Sequence, residues 1–66
     1  MNGYVKIDLI KNFMVNNGYS KVRFCKACKI SPVTLNEILD GKIKITPLTK
    51  IARLMELNLF DLLVGE

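Results

Sequence analysis

The strongest constraint on this chain is its punctuation. Asn16-Asn17-Gly18, Ile30-Ser31-Pro32, Asp40-Gly41, Thr46-Pro47 and Leu57-Asn58 recur at short intervals and divide it into five pieces. Gly supplies backbone angles that other residues avoid, and Pro cannot continue a helix from within, so such clusters stop one element and start the next. Helices this short are marginal alone in water. With 66 residues in all, the pieces must share one modest core, because a chain near this length buries only about 60% of its unfolded surface. The expectation is one domain over residues 1–66, without room for a deep cleft.

Periodicity assigns the pieces. From about Lys6 to Asn17, the residues Ile7, Ile10, Phe13 and Met14 share one helical face, and Gly18 suits a left-handed stop. Ser20 is a good N-cap for a second helix with Phe24, Cys25 and Cys28 inside and Lys21, Arg23 and Lys26 outside. Ser31-Pro32 opens a third, because Pro at the first helical position has no N–H to leave unpaired. Leu35, Ile38 and Leu39 form its inner stripe, and Asp40-Gly41 ends it. Thr46-Pro47 repeats that start signal ahead of Leu48, Ile51, Ala52 and Met55, and Asn58 with Asp61 can cap a short fifth helix. The alternation Lys42-Ile43-Lys44-Ile45 reads as a strand taken alone. With no partner strand evident, a loop or helix start that tucks in both Ile is favoured. The fold expected is a compact all-α domain of five helices, with Phe24, Leu35, Ile38, Ile51 and Met55 buried together.

Composition removes whole classes of chemistry. The chain has no His, so Ser-His and Cys-His nucleophile pairs and His-containing zinc sites are excluded together. Two Cys close at most one disulfide. Cys25-x-x-Cys28 has no further Cys or His to complete a tetrahedral metal site, and no strand precedes it as in redox motifs, so it reads as a packing pair. The acidic residues are scattered over different pieces, with no pair placed for acid–base work. No enzyme, cofactor, metal or small-molecule substrate is therefore expected. Ten Lys and Arg against six Asp and Glu leave a net charge of +4, which favours an anionic partner. Lys6, Asp8 and Lys11 interrupt any signal-peptide core, and no run approaches a membrane span, so a cytoplasmic protein with no membrane partner is expected.

The second and third pieces, with their tight turn, have the layout of a helix-turn-helix over about residues 20–41. The stretch Ser20 to Lys42 resembles the phage-repressor (Cro-like) helix-turn-helix family, also described as lambda-repressor-like. Phe24-Cys25 matches that family's large-then-small pair, Ile30-Ser31 its apolar-Ser pair, and Thr34-Leu35 its Thr-apolar pair. Ile38 follows three residues on, and Gly41-Lys42 closes the unit. Leu48 to Leu57 resembles the family's fourth helix, and Asn58 to Leu63 its short fifth, so the likeness spans about residues 7–64. The departures are Lys29 where the family usually has Gly in the turn, Arg23 and Leu39 where it often has Glu or Gln and Glu, and Pro32-Val33 where polar residues usually open the recognition helix.

The resemblance implies a transcriptional regulator, a repressor of phage or mobile-element type, that places its third helix (Pro32–Leu39) in the DNA major groove. Ser31 and Thr34 at the helix start, Lys21 at the start of the second helix, and Lys42 and Lys44 beyond the third are the phosphate-contacting candidates. Pro32, Val33, Asn36 and Glu37 face the bases. Val33 can touch a thymine methyl and Glu37 can accept from cytosine N4. With one domain, a homodimer would have to form through this domain's own surface, and the apolar run Leu57–Val64 reads either as a core lid or as a subunit interface. The rival expectation is a protein-interaction module, antitoxin-like or adaptor-like, favoured by the apolar start of the third helix.

Overall fold

Each helix starts and stops for a local reason. A computed structural model describes residues 4–64: a strand β1 (Tyr4–Val5), helices α1 (Ile7–Asn16), α2 (Lys21–Cys28), α3 (Pro32–Leu39) and α4 (Ile45–Leu54), a 3-10 turn (Leu59–Asp61), and a strand β2 (Leu63–Val64). Apart from the two-residue strand pair the architecture is all-α.

All four helices end in the same reversal. At the first or second residue past the helix the backbone takes a left-handed conformation, and the N–H groups of that residue and the next reach back to the last turn. At α1 this residue is Gly18 (φ 67°), with Tyr19 N–H donating to the Met14 carbonyl at 2.8 Å. At α2 it is Lys29 (φ 60°), with Ile30 N–H on Cys25. At α3 it is Gly41 (φ 101°), with Lys42 N–H on Glu37, and at α4 it is Glu56 (φ 59°), with Leu57 N–H on Ala52. A side chain in this region costs about 1–2 kcal/mol where Gly costs nothing. Lys29, the residue that departs from the Gly of the resembling family, is thus left-handed all the same, while the left-handed Glu56 carries no sequence signal.

The starts are less uniform. Ser20 Oγ accepts from Arg23 N–H at 3.2 Å and Ser31 Oγ from Thr34 N–H at 3.1 Å, so both expected Ser caps form. Thr46-Pro47 is not the boundary of α4. The helix begins at Ile45, with Lys44 at the N-cap and no side-chain cap. Pro47 is tolerated inside the first turn because that turn's N–H groups have no intrahelical acceptor anyway.

The core gathers Ile10 and Met14 from α1, Phe24, Cys25 and Cys28 from α2, Leu35 and Ile38 from α3, Leu48, Ile51 and Ala52 from α4, and Val5 and Leu62 from the two ends. Phe24 is fully enclosed, with its ring edge-on to Tyr19 (5.7 Å between centroids) and to Phe13 (6.3 Å), a preferred aromatic geometry. The Cα radius of gyration, 10.9 Å, is what a compact chain of this length has.

Four expectations are corrected. The fifth helix is a three-residue 3-10 turn. Its capping box forms as expected, with Asn58 N–H donating to Asp61 Oδ2 at 3.0 Å, but the chain then leaves to pair as β2. That pairing is antiparallel, Tyr4 opposite Val64 and Val5 opposite Leu63, and is extended by Lys6 N–H to the Leu62 carbonyl at 2.8 Å. Two residues per strand are too few to show an alternating pattern. Ile43 and Ile45 are exposed rather than tucked in, because the loop from 42 to 44 runs outside the core. Met55 is only partly buried: it caps the end of α4 and packs against the edge of the core.

These positions have unequal weight. Ile51→Ala removes a fully buried side chain, at a cost of about 2–5 kcal/mol against about 5 in total for a domain of this size. The variant should be largely unfolded near 37 °C by circular dichroism, while Met55→Ala keeps a cooperative melt. Equal melting of the two variants would show that the depth of α4 in the core is wrongly assigned.

Candidate functional site

The α2–α3 pair presents one helix with an inner and an outer face. Leu35 and Ile38 turn α3 inward, while Pro32, Val33 and Asn36 stand exposed, Val33 at 68%. At the start of α3, Ser31 Oγ accepts from the Thr34 N–H and donates to Thr34 Oγ1 at 2.9 Å. The serine hydroxyl is thus committed to the cap, and Thr34 is left with a hydroxyl proton to offer outward.

Beyond the other end of α3, three site residues meet. Glu37 Oε1 lies 3.2 Å from Lys44 Nζ, and Glu37 Oε2 lies 3.5 Å from Lys42 Nζ. One carboxylate thus bridges two ammonium groups, one on each oxygen. The hydrogen bond from Lys44 is the chief reason that the Glu37 carboxyl is held below its ordinary pKa. Partial desolvation opposes it, and the charges of Lys44 and Lys42 add to it. Sequence spacing placed Glu37 beside Val33 on one helical face. The contact with the two lysines depends on how the chain folds back after Gly41, which spacing does not encode.

Lys21 lies elsewhere, exposed at the start of α2. It shares with Lys11 of α1 a groove of about 560 Å³ whose walls include Tyr19, Leu39 and Asp40. Lys11 is thereby a cation beside the site that one-dimensional reasoning did not place there, since nothing in α1 marks which of its polar residues will face α2. A second cleft of about 380 Å³ holds Lys29, Lys50 and Arg53 between α2 and α4. There Lys50 Nζ donates to the Lys29 carbonyl at 3.3 Å, a contact across 21 positions that ties α4 to the left-handed turn.

Cys25 and Cys28 are both free thiols inside the core. Burial pushes both pKa values up, and burial together with the neighbouring Cys25 takes Cys28 to about 11. Neither is a nucleophile at neutral pH. Among the described residues no group of three or more His, Cys, Asp or Glu could hold a metal ion, and no helix is long and apolar enough to cross a membrane. No protein-family model, curated protein or solved structure matches the chain.

Two measurements test this geometry. In a carbon-detected NMR titration, Glu37 should titrate below the ordinary Glu range, and Lys44→Ala should raise it more than Lys42→Ala does. Because the folded pKa is the lower one, the interaction is present above the unfolded value and is lost as pH falls through the folded one. Being exposed, it adds little to stability. Second, with Cys28 near 11, only about one molecule in a thousand carries that thiolate at pH 8. Iodoacetamide should therefore label neither thiol until denaturant is added, and rapid labelling of the native protein would contradict the buried placement.

Proposed function

We propose that the chain is a sequence-specific DNA-binding regulator, a cytoplasmic repressor of phage or mobile-element type, which uses α2 and α3 as a helix-turn-helix and α3 as the recognition helix. The observation that carries this is the exposed outer face of α3 with cations gathered near its C-terminal end: Lys11 and Lys21 in the groove walled by Leu39 and Asp40, and Lys42 and Lys44 against Glu37. An α-helix fits the major groove, and basic residues beside it meet the phosphate backbone. The Thr34 hydroxyl and the open N–H of Val33 can add a phosphate contact at the helix start. Val33 offers a methyl-sized apolar contact and Asn36 an amide to base edges. Repression then needs no chemistry, only occupancy of the operator. In a homodimer, Phe60, 80% exposed, is the apolar side chain the partner would cover.

A second reading has its own observation. Val22 and Val33 are exposed at 57% and 68% on the outer sides of α2 and α3, and apolar exposure of this kind also serves a protein partner, as in an antitoxin-like or adaptor module.

The two readings separate by salt. Lys42→Ala or Lys44→Ala should weaken binding to operator DNA, and should reduce the slope of log affinity against log salt there by roughly one unit. Val33→Ala should leave that slope in place and change which sequence is preferred, by about 1–3 kcal/mol per lost base contact. The first DNA to try is the region flanking the protein's own gene, by electrophoretic shift. Unchanged DNA affinity in all three variants, with loss of a protein partner, would leave the interaction module standing.

A further inference from the structure

The Glu37 bridge raises a question that a phosphate-binding role for Lys42 and Lys44 does not answer. Both lysines already hold a carboxylate, one ammonium to each oxygen. A carboxylate between two ammonium groups occupies the place that a phosphate oxygen pair would take. Lys42 and Lys44 stand in the short loop between α3 and α4, whereas Glu37 stands on α3 itself. Both contacts are side chain to side chain, so opening the bridge breaks no backbone hydrogen bond.

We propose that Glu37 is a specificity-determining residue that acts as a built-in phosphate mimic: it keeps Lys42 and Lys44 engaged on random DNA and gives them up where α3 offers it a base donor. On a random sequence, freeing the lysines leaves an unpartnered carboxylate close to the phosphate they would bind, and like charges repel. Where a cytosine N4 amino group lies under α3, the displaced carboxylate accepts from it, and both lysines become available to the backbone. Firm phosphate contact is thereby coupled to sequence, although phosphate itself carries none. Specificity of this kind works by penalising the wrong partner as much as by favouring the right one.

This inference rests on the DNA-binding reading, and one experiment tests the two separately. Fluorescence anisotropy with a random duplex, over a series of salt concentrations, compares the parent, Glu37→Gln, the Lys42→Ala/Lys44→Ala variant and the triple variant. Asp8→Asn, the same charge change in the first turn of α1, controls for bulk charge. Glu37→Gln keeps the side-chain shape and should melt like the parent, since exposed pairs add little stability. It should bind random duplex roughly three- to ten-fold more tightly, with a salt slope steeper by up to about one unit. The gain should largely vanish when both lysines are absent, and Asp8→Asn should change affinity less than two-fold. An equal gain without the lysines, or from Asp8→Asn, would reduce Glu37 to one negative charge among several and overturn the inference. So would an unchanged Glu37→Gln affinity in a parent that binds duplex with a clear salt slope. If neither the parent nor Glu37→Gln binds any duplex at low salt, the DNA-binding reading itself fails, and the inference with it.

Discussion

Four reversals of the chain, each made at a single left-handed residue, determine what the rest of the structure can be. With helices of eight to ten residues, a longer loop at each corner would leave too little chain to enclose a core. The six-to-one closure satisfies two carbonyls of the last turn and redirects the backbone at once. Gly18 and Gly41 adopt it without strain. Lys29 and Glu56 adopt it against a cost of about 1–2 kcal/mol each, a considerable share of a small domain's stability, and Lys50 lies across the first of these turns as a tether. The corner between α2 and α3, on which the outward face of α3 depends, is thus held from outside as well as by its own backbone.

Phe24 is the point where these short elements meet. Its ring is shared by α1 through Phe13 and by the α1–α2 connection through Tyr19, while Cys25 and Cys28 are buried in the core from the same helix. Their spacing, which in another setting suggests chemistry, here follows from helical periodicity: residues three apart share a face.

What could be read in the sequence, and what could not, divides by range. The starts of α2 and α3, the stops at Gly18 and Gly41, and the burial of Phe24, Leu35, Ile38 and Ile51 were legible, because each depends on residues within one or two turns. The early start of α4 was not, since Thr46-Pro47 carries the same local signal as Ser31-Pro32 but lies inside the first turn. The strand pair was not, since it joins opposite ends of the chain. The outward set Pro32, Val33 and Asn36 follows from the phase of α3. The Glu37 bridge does not, because Lys42 and Lys44 come round to it only after Gly41 has turned the chain.

The strand pair has a consequence for how such a domain can be carried. Tyr4 and Val64 are cross-strand neighbours, about 5 Å apart at Cα as in any antiparallel ladder. Because the strands run in opposite directions, β1 starts and β2 ends at the same edge of the pair, side by side. The fold is in effect a pendant on a single stalk. A loop of a host protein could hold it by widening no further than one strand spacing, and excising it would leave a gap that a single residue can bridge. The outer face of α3 would be presented unchanged in either setting.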